Sequence, residues 1–176
     1  MLPPEPTIPE GFEVRTEPDG STVVRRRWRS WVLIPLAFFA LIWNGFLVGW
    51  YSAAFSFHGA PLMMLLFPLL HVAVGVGLTY YVLASLVNVT AVTVSYSGVR
   101  VRSGPAPWFG NRTVPADAIH QVLVRERTGS RNSAPTYRLM YAGADRKERR
   151  LVDSLPQSEQ AEYLAHLVRR SLRLRE

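Results

Sequence analysis

Four histidines, His58, His71, His120 and His166, are the side chains best suited to metal or proton chemistry, and they stand far apart in the chain. A zinc site needs ligands at short spacing on one element, as in HxxxH, with a further ligand close by. Here no histidine pair has that spacing. Cysteine is absent, which excludes disulfides, thiolate nucleophiles and Cys-ligated metals. There is no Gly-x-Ser-x-Gly elbow and no phosphate-binding glycine loop, and Gly75-Val-Gly77 lies inside an apolar run rather than at a strand-to-helix turn. The expectation is a protein with no catalytic residues, no metal and no cofactor.

Two polar residues fall inside apolar runs. At 1.5 Å per helical residue, Asn44 lies about 10 Å below the outer end of the first run and His71 about 14 Å below the start of the second. They form a candidate intramembrane polar pair. With no carboxylate in either run, a neutral interhelical hydrogen bond of about 1 kcal/mol is favoured over proton or ligand handling. Gly45-Phe-Leu-Val-Gly49 is a GxxxG pattern, and Ala73 and Gly77 repeat the spacing, so these four make a candidate helix-packing face between two helices or between two copies of the chain.

Arginines supply the remaining candidates. Arg25, Arg26, Arg27 and Arg29 are candidate lipid-headgroup contacts, each contributing about 1 kcal/mol beside an anionic leaflet. Arg169, Arg170, Arg173 and Arg175 end the last helical pattern, where cations complement the helix dipole, and form a candidate partner or membrane surface. The net charge of +7 belongs entirely to residues 100–176, since residues 1–29 sum to zero. A one-sided basic surface beside a bilayer accounts for the pI of about 10.4, so nucleic acid is not an expected partner. Nineteen of the twenty basic residues are Arg, a bias in keeping with a GC-rich bacterial genome. Trp108 and Phe109, in a Pro-rich stretch, are expected to plug the open end of a sheet in preference to dipping into a membrane interface.

What must position these residues follows from the charge distribution. Between Arg29 and Arg100 lie 70 residues without Asp, Glu, Lys or Arg, enough for two apolar spans of about 20 residues each. A purely soluble enzyme is thereby excluded. We place transmembrane helices at 30–51 and 62–87, with a periplasmic loop at 52–61. The second span contains Pro68, Gly75 and Gly77 and is long enough to tilt or kink. Trp28, Trp31, Trp50, Tyr51, Tyr80 and Tyr81 sit where interfacial aromatic belts lie. The loop lacks Lys and Arg while Arg-rich segments flank the spans, so both termini are expected to be cytoplasmic. The first 30 residues are polar and rich in Pro and Glu, so a cleaved signal peptide is not expected.

After the second span the period changes to two. Val92, Val94 and Tyr96, then Val99 and Val101, alternate with polar residues around a Ser97-Gly98 turn. Further strands are expected at Arg112–Val114, Ile119–Thr128, Tyr137–Tyr141 and Arg149–Val152. Ser154-Leu-Pro-Gln157 has capping-box spacing ahead of a helix carrying Ala161, Leu164, Ala165, Val168 and Leu172. Within residues 1–29, two short β-type runs flank Pro18-Asp19-Gly20. Such a hairpin is unstable alone, so it should pair with the later strands and make the membrane hairpin an insertion into, or next to, one cytoplasmic domain.

The run Val92-Thr-Val-Ser-Tyr-Ser-Gly-Val-Arg-Val-Arg-Ser-Gly104, with Asn111-Arg-Thr-Val-Pro115 and Ala118-Ile-His-Gln-Val122, resembles the bacterial pleckstrin-homology-like (PH-like) domains found beside transmembrane hairpins. The likeness spans about Thr90 to Glu126, and the chain departs from it in its Pro-Ala-Pro-Trp-Phe insertion and N-terminal hairpin. It implies a small barrel-like sheet capped by one helix, at 90–176, with no catalytic residues to carry over. The expected fold class is therefore a membrane protein with a two-helix transmembrane hairpin and a cytoplasmic α+β PH-like domain of six to eight antiparallel strands and one C-terminal helix. The expected function is a multi-pass inner-membrane binding or scaffold module whose partners are the anionic leaflet and an unidentified protein, a second copy included. The alternative is an accessory or assembly subunit of a transporter or enzyme complex that acts through its membrane helices.

Overall fold

The computed structural model describes residues 6–28, 30–57, 61–128 and 134–174. Two compact units emerge, one formed by Met1–Arg27 with Val89–Glu176 and the other by Trp28–Asn88.

The first unit is α+β. Strands β1 (Phe12–Thr16), β2 (Thr22–Arg27), β3 (Val89–Ser95), β4 (Gly98–Gly104) and β5 (Arg112–Pro115) form an antiparallel sheet in that order. Strands β6 (Gln121–Arg127), β7 (Thr136–Ala142) and β8 (Glu148–Leu155) form a second antiparallel sheet, followed by the helix α4 (Ser158–Leu172). The β1–β2 hairpin turns where Asp19 Oδ1 accepts the Ser21 backbone N–H (2.9 Å) and hydroxyl (2.7 Å) and Gly20 takes φ +79°. Alternation then sorts each strand: Val24, Val92, Val94, Val99, Val101 and Val114 face inward from the first sheet, meeting Val122, Leu139, Leu151, Val152 and Leu155 from the second. Helix α4 closes this core with Ala161, Leu164, Ala165 and Val168.

The N-terminal hairpin is integral to this unit. Strand β2 pairs with β3 from Thr22↔Val94 to Arg27↔Val89, the Phe12 ring meets Tyr163 of α4 edge-on at 6.2 Å, and Gln160 Nε2 donates to the Glu10 carbonyl at 2.8 Å. Residues 28–88 are thus inserted between two directly paired strands.

Ser154 departs from its expected role as a helix cap. Between the pairs Tyr137↔Leu155 and Leu139↔Val152, β8 carries one residue more than β7, and Ser154 lies in this bulge with φ +57°. The helix starts at Ser158 after Gln157, with no side-chain cap. Beside the bulge, Asp153 accepts from Arg138 Nε (2.8 Å), Arg150 Nη1 (3.1 Å) and the Ser154 N–H (2.8 Å). Burial pushes its pKa up, but hydrogen bonds led by that from Arg138 outweigh burial and hold the carboxyl below its ordinary 3.8. The hydrogen bond from Arg125 likewise holds Glu148 below 4.5. Groups whose folded pKa is depressed add stability above their unfolded pKa and lose it as pH falls through the folded value. The α+β unit should therefore lose stability progressively below about pH 4.5. Asp153→Asn should lower the denaturation midpoint at pH 7 and make its fall on acidification shallower. Midpoints that move in parallel for both proteins across that range would show that Asp153 is not a source of the acid sensitivity.

The second unit contains α1 (Leu33–Ser56), α2 (Leu62–Leu66) and α3 (Leu69–Val87). The segments Leu33–Ser56 and Leu62–Val87 are long and apolar enough to cross a membrane. Helix α1 runs beyond the expected end at residue 51, taking half of the expected 52–61 loop into its last turn and a half. Apolar continuity of Ala53, Ala54 and Phe55, with no Gly or Pro before Gly59, explains the extension. The second span breaks at Phe67–Pro68, since Pro68 has no N–H to continue the ladder.

Candidate functional site

Helix α1 buries Leu33, Ala40, Leu47 and Ala54, each seven residues from the next, and α3 buries Gly75 and Val82 at the same interval. A seven-residue repeat keeps one face of each helix on a shared line. Gly75 is a point of close approach: a Cβ there would lie 2.9 Å from Asn44 Oδ1, 3.2 Å from Trp43 Cδ1 and 3.3 Å from Leu47 Cδ1.

Asn44 and His71 are not partners across this interface. Asn44 Nδ2 donates to Thr79 Oγ1 at 3.0 Å and to the Ala40 carbonyl at 2.6 Å, and the Thr79 hydroxyl donates to the Gly75 carbonyl at 2.8 Å. His71 instead stacks on Trp43 (centroids 5.7 Å apart, 20° between planes) and lies against Phe67 (5.5 Å). The Trp43 indole N–H donates to the His71 carbonyl at 3.1 Å, and the buried His71 Nδ1 has no hydrogen-bond partner. Rise along each helix gave comparable depths, but rotation about each axis decides contact, and it turns Thr79 toward Asn44. Thr79, one helical turn on from Gly75, was the missed residue. Asn44 and Thr79 thus form an uncharged hydrogen-bonded pair suited to fixing the register of two helices.

Trp50 and Tyr51, expected at an interfacial belt, have a structural use within the chain. Pro68 leaves the Met64 carbonyl without its usual donor four residues on, and the helix restart at Leu69 leaves that of Leu65 free as well. The Trp50 indole N–H donates to the first at 3.0 Å and the Tyr51 hydroxyl to the second at 3.1 Å. In a bilayer core, where water cannot serve, such substitution is what makes a proline break tolerable.

The GxxxG face does not pack within the chain. A Cβ added at Gly45, Gly49 or Gly77 would meet nothing within 4 Å, and Ala73 is exposed. These residues look outward, away from the heptad line, so the intrachain half of the expectation is replaced by Leu33, Ala40, Leu47, Ala54, Gly75 and Val82.

The arginine sets divide. Arg26 turns inward, donating through Nη1 to the Ser154 carbonyl at 2.8 Å, and burial lowers its pKa. Arg27 pairs with Glu13 at 3.5 Å. Arg25 is exposed, whereas Arg29 lies outside the described residues. At the other end, Arg169 Nη2 donates to the Val122 carbonyl of β6 at 3.0 Å, so it ties helix to sheet. Arg173 is the left-handed C-cap at φ +52°, its N–H bonding the Arg169 and Arg170 carbonyls. Arg170 is exposed, and Arg175 lies outside the described residues. Arg112 adds a further tie, its Nη1 donating to the Arg150 carbonyl at 2.6 Å across the two sheets. Bare carbonyls at bulges and strand ends explain this use of arginine: a long side chain with five donors reaches them from a neighbouring element.

Phe109 is 93% exposed and plugs nothing; Val94, Val99 and Val101 already fill the sheet interior. Trp108 is half-buried, its ring edge toward Phe109 at 6.5 Å. His120 lies in the bend before β6 and His166 on α4, His58 is outside the described residues, and among the described residues no group of three or more His, Asp or Glu could hold a metal ion. A shallow cleft of about 450 Å³ is lined by His120, Gln121, Ala142, Arg146 and Glu148, with Glu148 already engaged by Arg125.

No protein-family model and no curated protein matches the chain. The chemistry of its own residues is therefore what bears on function.

Proposed function

We propose that the protein is a membrane-anchored binding or scaffold module, without catalysis, that presents a PH-like α+β unit at the cytoplasmic face of a bacterial inner membrane. The observation that carries this reading is the pairing Arg27↔Val89. A single sheet holds both ends of the apolar hairpin, so any bilayer the hairpin enters must be crossed an even number of times. The two long helices suit two crossings, with only 17% and 11% of their apolar windows buried within the chain, unlike core helices of a soluble domain. The Arg-rich flanks and the Lys- and Arg-free connection orient the hairpin with both termini inside. Two antiparallel sheets closed by one C-terminal helix accord with the PH-like resemblance.

A reporter fused after Glu176 should be active only in its cytoplasmic form, and one inserted after Phe57 only in its periplasmic form. The opposite pattern would overturn the orientation, and identical activity at both positions would overturn the crossing itself.

A second reading, an accessory subunit acting through its helices, is favoured by the outward-facing Gly45, Gly49, Ala73 and Gly77. Copurification in mild detergent separates the two: a stoichiometric membrane protein supports the accessory role, and a soluble cytoplasmic partner supports the module.

A further inference from the structure

We infer that the loop at residues 105–111 is a membrane-interface anchor, inserting Phe109 among the headgroups of the lipid surface into which the hairpin is placed. The inference rests on the membrane reading above and adds a second, non-helical contact to it.

The register fixes where this loop lies. Val89 pairs with Arg27 on one side and with Gly104 on the other. The last residue before the hairpin, the first residue after it and the last residue before the loop thus share one row across three adjacent strands. Neighbouring strands are about 4.8 Å apart, so the loop leaves the sheet about 5 Å from where the chain re-enters it. With α3 ending at Val87 and β3 starting at Val89, a single linking residue separates that edge from a helix long enough to cross a bilayer. Phe109 lies five residues beyond Gly104 and two before Asn111, so at about 3.4 Å per residue it stands at most about 7 Å beyond the base that Asn111 closes, comparable with one headgroup layer.

The loop is built to present its tip. Asn111 Oδ1 accepts the Ser103 N–H at 2.7 Å, and Arg112 Nε donates to the Gly110 carbonyl at 3.0 Å, closing the base. Pro105 and Pro107 restrict the backbone on the way out. At the tip, Phe109 is 93% exposed, where burial within the unit would be the ordinary fate of such a ring. Besides Phe109, the large apolar side chains exposed in the α+β unit among the described residues are Ile8 and Tyr96. Ile8 precedes β1 at the same end, where Phe12 pairs with Arg26; Tyr96 lies at the opposite end, in the β3–β4 turn.

Charge at this end matches an anionic lipid surface. Arg25 and Arg102 are both register partners of Ala91, and Glu13, next to Arg25 in that row, is paired with Arg27, so two exposed guanidinium groups stand against one engaged carboxylate on the outer face of the sheet. An apolar tip beside cations on one edge is the pattern that favours an interface with negative headgroups.

The chain's lack of cysteine permits single-site spin labelling of the full-length protein. Phe109→Cys, Tyr96→Cys and Phe46→Cys would each be labelled after reconstitution into phosphatidylglycerol-containing vesicles, and depth read from collision with oxygen against a water-soluble nickel chelate. The expected order is position 46 in the hydrocarbon, position 109 at headgroup depth and position 96 in water. If position 46 is deep while 109 is as water-accessible as 96, the anchor is wrong and the membrane reading stands. If position 46 itself is aqueous, the membrane reading fails and the anchor falls with it.

Discussion

Replacing Gly98 with alanine is expected to destabilise the α+β unit severely. Gly98 opens β4 with φ +142°, outside the range of L side chains. A Cβ there would stand 2.3 Å from the Val114 carbonyl oxygen, 2.9 Å from Pro115 Cα and 3.0 Å from Ala116 N. All three are backbone atoms of the strand paired with β4 and of the turn that follows it, so no side chain can rotate aside. Relief requires separating β5 from β4 along Gly98↔Pro115 and Val99↔Val114, which uncovers the buried Val99 and Val114. Backbone strain and overpacking of this kind each cost about 1–3 kcal/mol, against a total stability of about 5–15 kcal/mol for a domain. A loss of about 2–6 kcal/mol should appear as protease sensitivity after Val89 and a sharply lower denaturation midpoint. Gly20→Ala makes the contrast: φ is +79° but nothing lies within 4 Å, so only the left-handed cost of about 1–2 kcal/mol applies. Equal midpoints for the two variants would show that the approach of β5 does not constrain Gly98.

That glycine marks the boundary between what was legible in the chain and what was not. Ser97-Gly98 reads as a turn, and the turn is there at Tyr96–Ser97, but the demand on Gly98 comes from β5, which is distant in sequence. Local pattern carried the strand alternation of Val92, Val94, Val99 and Val101, the Pro18-Asp19-Gly20 hairpin and the helical stripe from Ala161 to Leu172, since each is set by neighbours within a few residues. It did not carry helix rotation. The GxxxG spacing of Gly45 and Gly49 drew the eye, whereas the packed face is written in the quieter seven-residue repeat Leu33, Ala40, Leu47, Ala54. Depth along a helix paired Asn44 with His71, but azimuth paired it with Thr79. The arginines misled in another way. Arg26 and Arg169 read as surface charge, yet each donates to a carbonyl of another element, as Arg112 does, and no one-dimensional signal shows which carbonyls a bulge or strand end will leave bare.

Excising the apolar hairpin should convert the protein into a soluble, folded α+β unit. Residues 28–88 connect strands that are already partners, with six consecutive pairs from Thr22↔Val94 to Arg27↔Val89. Joining Arg27 to Val89 through a short Asn-Gly-containing turn would leave an ordinary β-hairpin, the connection that antiparallel neighbours most readily accept. None of the residues in the buried core of the unit, from Val24 to Val168, lies within the excised segment. Shortening the connection also lowers the entropy lost in pairing β2 with β3, since closure cost grows with loop length. The excised segment carries nearly all of the large exposed apolar side chains, leaving Ile8, Tyr96 and Phe109 among the described residues. The shortened chain should therefore remain in the supernatant without detergent, show mixed α and β circular dichroism and unfold cooperatively. Deleting β1 and β2 as well should remove that cooperativity, because β3 would become an unpaired edge and Val24 would leave the core. If the shortened chain aggregates or lacks a cooperative transition while the full chain in detergent retains one, the helices are part of the folding unit and the α+β unit does not stand alone.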